Sequence, residues 1–305
     1  MSCGSHTNSY LKGLAENAEN YLAYESEEKV TWCGGCGNYG VQNSLKRALT
    51  LEGLGVEDVM FCFDIGCNGN GSDKIHGYTI HGLHGRAISL GAGCALANSK
   101  MKVIASAGDG ATMSEGINHL IHAVRSDYPM VFILHNNQNY GLTTGQASAT
   151  TRKGYAMNGS PDGVVAEPMN PIDLVLGLGA SFVARTFSAD HKHMTKIFRE
   201  AIKHKGFAFV EVMQVCPTYN KATPSTWFWE RMKYIEDIEG YDPTNFKMAR
   251  EVAHDIYEQM AVGLLYLDEE MPNFVERLQS RKEYDTALVE EVDHYDVSNI
   301  LKRFE

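Results

Sequence analysis

Three short apolar runs, each ending in a loop of glycines and side-chain amides, constrain this chain more than any other feature. Residues 59–65 read VMFCFDI and give way to Gly-Cys-Asn-Gly-Asn-Gly. Residues 103–107 read VIASA and run straight into Gly-Asp-Gly, and residues 130–134 read MVFIL and lead through His135 into Asn-Asn-Gln-Asn-Tyr-Gly. Apolar runs of this length, bounded by turn chemistry, fit strands buried on both faces. Patterns of helical spacing fill the gaps: Val41, Leu45, Ala48 and Leu49, then residues 83–98 and residues 114–125. The alternation resumes with a helix at 171–178, a strand at 181–184, a helix at 191–203 and a strand at 207–213. Strands alternating with helices predict an α/β fold, a parallel sheet with helices on both faces. The character changes after Cys216, where 224–242 is aromatic and polar and 246–266 is expected to be helical. The expected organisation is an N-terminal extension (1–30), a main binding domain (31–216) and a C-terminal arm (217–305).

Ligands of open parallel sheets sit at the carboxyl ends of the strands. Two of those ends carry unusual chemistry here, Gly108-Asp109-Gly110 and the run from Asn136 to Gly141. Glycine lets a backbone approach a phosphate closely. An Asp, an Asn and a backbone carbonyl are hard oxygen ligands that suit Mg²⁺, which completes its octahedron with phosphate and water oxygens. This strand–GDG–helix–strand–NN order resembles the thiamine-diphosphate motif. The resemblance implies that Asp109, Asn137 and the carbonyl of Asn139 hold Mg²⁺, and that the diphosphate meets Gly110 and the start of the following helix.

Seven cysteines remain to be sorted. Cys33 and Cys36 form a CxxC in WCGGCG, Cys67 lies in the glycine-rich loop after the first apolar run, and Cys216 follows the last strand. All four sit at element ends, where four thiolates could close a tetrahedral zinc site or a [4Fe–4S] cluster. Cys62 lies inside a strand run and Cys94 among small helix residues, as small buried hydrophobes do. Cys3 receives no role.

WCGGCG, IGC, HGLHGRA, GDG, NNQNYGLTTGQ and CPTYN, in that order, resemble the β subunit of the 2-oxoacid:ferredoxin oxidoreductases over about residues 31–220. The resemblance implies a [4Fe–4S] cluster on Cys33, Cys36, Cys67 and Cys216. It implies a thiamine-diphosphate site built from Gly108, Asp109, Gly110, Ala111, Asn137, Asn139, Tyr140, Gly141, Leu142 and Thr143, with His84 and Arg86 near the substrate carboxylate. It further implies CoA-dependent oxidative decarboxylation of a 2-oxoacid such as pyruvate or 2-oxoglutarate, with electrons passed to ferredoxin. It implies, too, that the carboxylate against the aminopyrimidine comes from a partner α subunit carrying the pyrimidine-binding domain and its Glu, in an αβ heterodimer or its dimer. Two alternatives stay open: a non-redox thiamine decarboxylase or carboligase subunit with structural zinc, and an iron–sulfur scaffold in which GDG and NN are only turns.

Other residues weigh less. Lys74 and Asp73 could approach the substrate or be solvated charges. His119 and His122 have zinc-like spacing without a fourth ligand, and Trp227, Phe228 and Trp229 read as packing. Within the family pattern many members carry a second Gly where this chain has Thr144, and the loop after Cys67 (NGNGSDKI) is unusually rich in Gly and Asn. The net charge of −11 argues against nucleic acid as a partner. The polar N-terminus has no signal-peptide pattern and no run is long enough for a membrane span, so a cytoplasmic location is expected.

Overall fold

A computed structural model describes residues 18–284, 286–292 and 296–304. Cys3 and most of the N-terminal extension lie outside the described residues. Eight strands, β1 (Val59–Phe63), β2 (Tyr78–His81), β3 (Lys102–Gly108), β4 (Val131–Asn136), β5 (Phe182–Phe187), β6 (Ala208–Met213), β7 (Met232–Tyr234) and β8 (Met260–Leu267), form one sheet. Their order is β2-β1-β3-β4-β6-β5-β8-β7. The first six are parallel to their neighbours, while β8 runs antiparallel to β5 and β7 lies parallel to β8.

The helices include α1 (Ala18–Ala23), α2 (Gly37–Leu51), α3 (Ala87–Ala97), α4 (Ile117–Ser126), α5 (Pro171–Gly177), α6 (His191–Lys203), α7 (Ser225–Trp229) and α8 (Phe246–Ala253). Adjacent strand residues point to opposite faces, and both faces are covered. Ile104, Val131 and Ile133 pack with Leu45 and Leu49 of α2 and Ile197 and Phe198 of α6. Val103, Ala105, Phe132 and Leu134 pack on the other side with Ile88 of α3, Leu120 of α4 and Val175 of α5. Double-sided burial is the physical reason that β3 and β4 read as unbroken apolar runs.

Three local expectations change. The helix expected over 246–266 ends at Ala253, because the Asp255 carboxylate accepts the N–H groups of Tyr257, Glu258 and Gln259 in a turn. The apolar run that follows then becomes β8. The helix expected from Ser114 is split: Ala111–Glu115 is a π-turn and α4 starts after Gly116. Edge strand β2 (YTIH), partly exposed and only four residues long, carried no sequence signal strong enough to find it. The segment expected as a C-terminal arm supplies β7 and β8 to the main sheet, so the sheet continues across Cys216. No helix among the described residues is long and apolar enough to cross a membrane.

Candidate active site

The chain turns to opposite sides of β1 to reach β2 and β3, so the β1/β3 boundary is a switch point where loops part and leave a crevice. A cleft opens there. It is lined from the end of β1 by Ile65 and Cys67, from the end of β3 by Gly108, Gly110 and Ala111, and from the end of β4 by Asn137, Asn139, Tyr140, Gly141, Leu142 and Thr143. The register sets Gly108 opposite His135, which brings the GDG and NN segments side by side.

Asp109 lies beneath this cleft and is 1% exposed. Its Oδ2 accepts from the hydroxyls of Ser148 and Thr150, the latter at 2.6 Å. Its Oδ1 is buried with no partner. Burial pushes its carboxyl up to about 6, against the hydroxyl donors and the Asn137 backbone, which pull it down. A buried carboxylate oxygen without a partner costs free energy unless a proton or cation meets it. The Asn137 side-chain oxygen accepts from the Asn139 N–H at 3.1 Å, and the Asn139 amide donates to the Asn137 carbonyl at 2.9 Å. The bare Asp109 Oδ1 and the Asn137 side-chain oxygen, at the ends of adjacent strands, are hard oxygen donors of the kind Mg²⁺ takes. A Cβ added to Gly108 would meet nothing within 4 Å, so that side of the strand end is open to a ligand. At Gly110 a Cβ would strike the Tyr140 ring at 2.3 Å, so only glycine lets the ring lie across the turn.

The polar support continues below Asp109. Thr150 Oγ1 also reaches Asn136 Oδ1 at 2.9 Å, Asn136 donates to Glu211 Oε1 at 2.7 Å, and Glu211 Oε2 takes Arg185 Nε at 2.6 Å. Arg185 and Glu211 form a fully buried ion pair under the sheet end. Asp64, at the end of β1, accepts four backbone N–H groups, those of Ile65, Gly85, Arg86 and Ala87. Its carboxylate thereby fixes the HGLHGRA segment and meets the N-terminal end of α3, where the helix dipole favours an anion.

Of the two residues expected near the substrate, His84 lines the cleft, and its Nδ1 stands 3.4 Å from Glu115 Oε2. The Tyr140 hydroxyl donates to Glu115 at 2.9 Å, so His84, Glu115 and Tyr140 meet at the rim. Burial pushes the Tyr140 hydroxyl up to about 12, helped by the Glu115 and Asp109 charges. Arg86 is exposed, and its guanidinium points at the carbonyls of His84, Gly85 and Glu115, where it ties the two loops together. Lys74 is buried against Asp73 at 3.1 Å. Phe228 and Trp229 pack against Phe187.

The four cysteines of the CxxC, the glycine loop and the CPTYN segment come together beside the cleft. A Cβ built on Gly141 would lie 3.3 Å from Cys67 Sγ and 3.8 Å from Cys216 Sγ, so these sulfurs face one another across the glycine. Burial, then the neighbouring Cys36, Cys216 and Cys33, pushes the Cys67 thiol up to about 12. The Cys36 thiol is raised by burial, and Cys216 and Cys33 add to it. Backbone bonds knit the loops, with Gly37 N–H donating to the Val215 carbonyl at 3.1 Å and Trp32 Nε1 to the Cys67 carbonyl at 2.6 Å. Among the described residues, no three His, Cys, Asp or Glu side chains are gathered tightly enough to chelate a single ion. Cys62 and Cys94 lie apart from this group, with sulfurs 3.9 Å from each other between β1 and α3.

The sequence gives no role to Asp64, Ser148, Thr150, Glu211 or the buried His135. Each is a common polar residue with no motif spacing, and its role depends on contacts between distant segments. The one available signal is position, since Asp64 and His135 each directly follow apolar strand residues.

Thr144 has a φ of +79°. A β-branched residue pays for that left-handed conformation, whereas glycine adopts it freely. The backbone at Thr144 is thus one that favours Gly.

The fold and cleft together define a thiamine-diphosphate-binding α/β domain. Residues 64–212 match the family model for the C-terminal thiamine-pyrophosphate-binding domain of thiamine pyrophosphate enzymes. Residues 216–283 match the model for the C-terminal part of the pyruvate ferredoxin oxidoreductase β subunit. The chain is 35% identical over 262 residues to a 2-oxoacid:ferredoxin oxidoreductase subunit beta from Sulfolobus, covering 82% of this chain and 85% of that one. It is 33% identical to 2-oxoacid:ferredoxin oxidoreductase 2, subunit beta, of Aeropyrum pernix over 86% of this chain and 88% of that one. A solved 2-oxoglutarate:ferredoxin oxidoreductase from Magnetococcus marinus, with 2-oxoglutarate, coenzyme A and succinyl-CoA bound, superposes with a TM-score of 0.84 at 30% identity, over 94% of this chain and 96% of that one. The chain belongs to the β subunits of the 2-oxoacid:ferredoxin oxidoreductase family.

Proposed function

We propose that this chain carries the thiamine-diphosphate and [4Fe–4S] sites of a CoA-dependent 2-oxoacid:ferredoxin oxidoreductase and acts with a partner α subunit. The observation that carries the reading is the shared wall of the cleft: Cys67 and the metal-binding segments Gly108–Ala111 and Asn137–Asn139 line the same space. Thiamine diphosphate, when bound, supplies a carbanion that attacks a 2-oxoacid ketone and a cationic ring that accepts the electrons left by CO₂.

In this reading Asp109, Asn137 and the Asn139 carbonyl hold Mg²⁺, and Gly108, Gly110, Ala111 and Gly141 admit the diphosphate. Tyr140, Leu142 and Thr143 wall the cofactor, and His84 faces the substrate. Arg86 holds the rim loop in place. Cys33, Cys36, Cys67 and Cys216 hold the cluster. Burial, then the neighbouring sulfurs, raises the Cys36 and Cys67 thiols, and iron would relieve that cost by binding them as thiolates.

The partner is supported by the rim. Ile65 and Leu142 line the cleft yet are 37% and 47% exposed, and Leu83, next to His84, is 76% exposed. Exposed apolar groups around the rim of a cleft mark a surface that another chain covers. The partner would bring the carboxylate that meets the aminopyrimidine.

The test is reconstitution. Ferredoxin should be reduced only when this chain, an α subunit, a 2-oxoacid and CoA are all present, and a panel of 2-oxoacids would then name the substrate. Robust 2-oxoacid oxidation by this chain free of any partner would sink the proposal.

A further inference from the structure

A buried chain of hydrogen bonds runs from beneath the cleft to the cysteine group, and Gln214 is its last link. Gln214 is 1% exposed, between β6 and Cys216. Its Oε1 lies 2.7 Å from His135 Nδ1. That ring nitrogen also lies 3.1 Å from Asn38 Oδ1, so it faces two acceptor oxygens and must carry the hydrogen. The other ring nitrogen, Nε2, is 2.9 Å from the Ser106 hydroxyl, whose oxygen accepts the Asn68 amide at 2.7 Å.

With its oxygen on His135, Gln214 turns its amide nitrogen the other way. The Nε2 end then has two hydrogens to place. One goes to Asn38 Oδ1 at 3.0 Å, and the other points at Cys36 Sγ at 4.0 Å. Gly37 clears the space, since a Cβ there would meet Gln214 Cγ at 2.5 Å. The amide therefore cannot rotate or flip without breaking bonds to both His135 and Asn38. Asn68, at the other end of the chain, adjoins Cys67, so the network is anchored on both sides of the cysteine group.

We infer that Gln214 is a positioning residue that sets the reduction potential of the centre held by Cys36, through a locked N–H···S hydrogen bond. This rests on the [4Fe–4S] reading proposed above. Reduction adds negative charge that the cysteine sulfurs share, so an N–H donor stabilises the reduced form more than the oxidised one and raises the potential. Hydrogen bonds to cluster sulfurs are among the levers a protein has on that potential.

The experiment is an anaerobic redox titration, followed by electron paramagnetic resonance, of the full chain and two variants, with iron, sulfide and thermal stability measured on each sample. Gln214→Met keeps the length and removes the donor. Gln214→Glu keeps an oxygen for His135 and sets an acceptor against the sulfur, so it covers the case in which the Met variant does not fold. Both variants should bind iron like the wild type and titrate to more negative potential, with Gln214→Glu shifted further. For Gln214→Met the reduced-to-oxidised ratio at a fixed potential should fall roughly tenfold, about 59 mV for a one-electron couple. Iron-replete variants with the wild-type potential would overturn this inference and leave the cluster reading intact. A wild-type chain without iron and sulfide would overturn both.

Discussion

Thr150 Oγ1 sits 2.6 Å from Asp109 Oδ2 and 2.9 Å from Asn136 Oδ1, one hydroxyl hydrogen between two acceptors. The pair joins the base of the cleft to a polar chain that ends in the buried Arg185–Glu211 ion pair. Asp109 is therefore held rigidly on one oxygen and left bare on the other, a geometry suited to a metal ligand and costly without the metal.

That cost makes the first prediction. The Asp109 carboxyl is raised above its unfolded value, to about 6, so its stabilising contribution is complete below the unfolded value and is lost as pH rises through about 6. At pH 7.5 the Asp109→Asn variant should be more stable than the wild type in cofactor-free form, by up to about 3 kcal/mol, since each tenfold change in proton affinity is worth roughly 1.4 kcal/mol. It should also lose the stabilisation that Mg²⁺ with thiamine diphosphate gives the wild type. Thermal unfolding with and without ligand measures both effects. A variant that is less stable when apo, or that keeps the ligand response, contradicts the account.

Thr150→Val keeps the shape and removes the hydroxyl. Asp109 Oδ2 keeps Ser148 as a donor but loses one hydrogen bond in a buried site, for a loss of about 1–2 kcal/mol. Affinity for Mg²⁺ with thiamine diphosphate should fall roughly tenfold, as for other outer-shell partners of metal ligands. Calorimetric titration of wild type and variant checks this, and unchanged affinity would remove Thr150 from the site.

Arg185→Met leaves the Glu211 charge buried without its partner and should cost about 3–5 kcal/mol in urea unfolding. The double variant Arg185→Met with Glu211→Gln should regain most of that loss, because the uncompensated charge is gone. Equal losses in the single and double variants would show that packing rather than charge is responsible.

The pH dependence of stability at acid pH should carry the signature of His135. Burial lowers its pKa from 6.5 to about 4. The unfolded chain binds this proton more readily than the folded one, so stability falls as pH drops from about 6.5 towards 4, by about 3 kcal/mol across the window. In His135→Gln the slope of stability against pH in that window should flatten, whereas a slope unchanged by the substitution would mean that other groups set it.

The sheet strands and the segments that meet at the cleft were legible because burial on both faces leaves continuous apolar runs, and because GDG, the NN run and the CxxC each concentrate rare chemistry in a few positions. The order of β3, the GDG turn, β4 and the NN loop is local along the chain, so spacing reports it. β8 was misread as helix because residues 246–266 mix a helical start with a strand-like end, and the Asp255 turn that parts them is only one polar residue in sequence. The second layer of the site was illegible for a different reason. Glu211 reaches Arg185, Asn136 reaches Glu211 and Gln214 reaches Cys36 through tertiary packing, which no spacing rule encodes.

In the proposed function one chain holds a thiamine-diphosphate site and an iron–sulfur cluster side by side. Metal and sulfide analysis of the anaerobically purified full chain, with its visible spectrum before and after dithionite, tests it most directly. The account predicts a brown protein that bleaches on reduction, with iron and sulfide in equal amounts of about four per chain, both lost in Cys67→Ser. A colourless chain with about one zinc and no sulfide would contradict it and leave a thiamine-diphosphate subunit with no electron path.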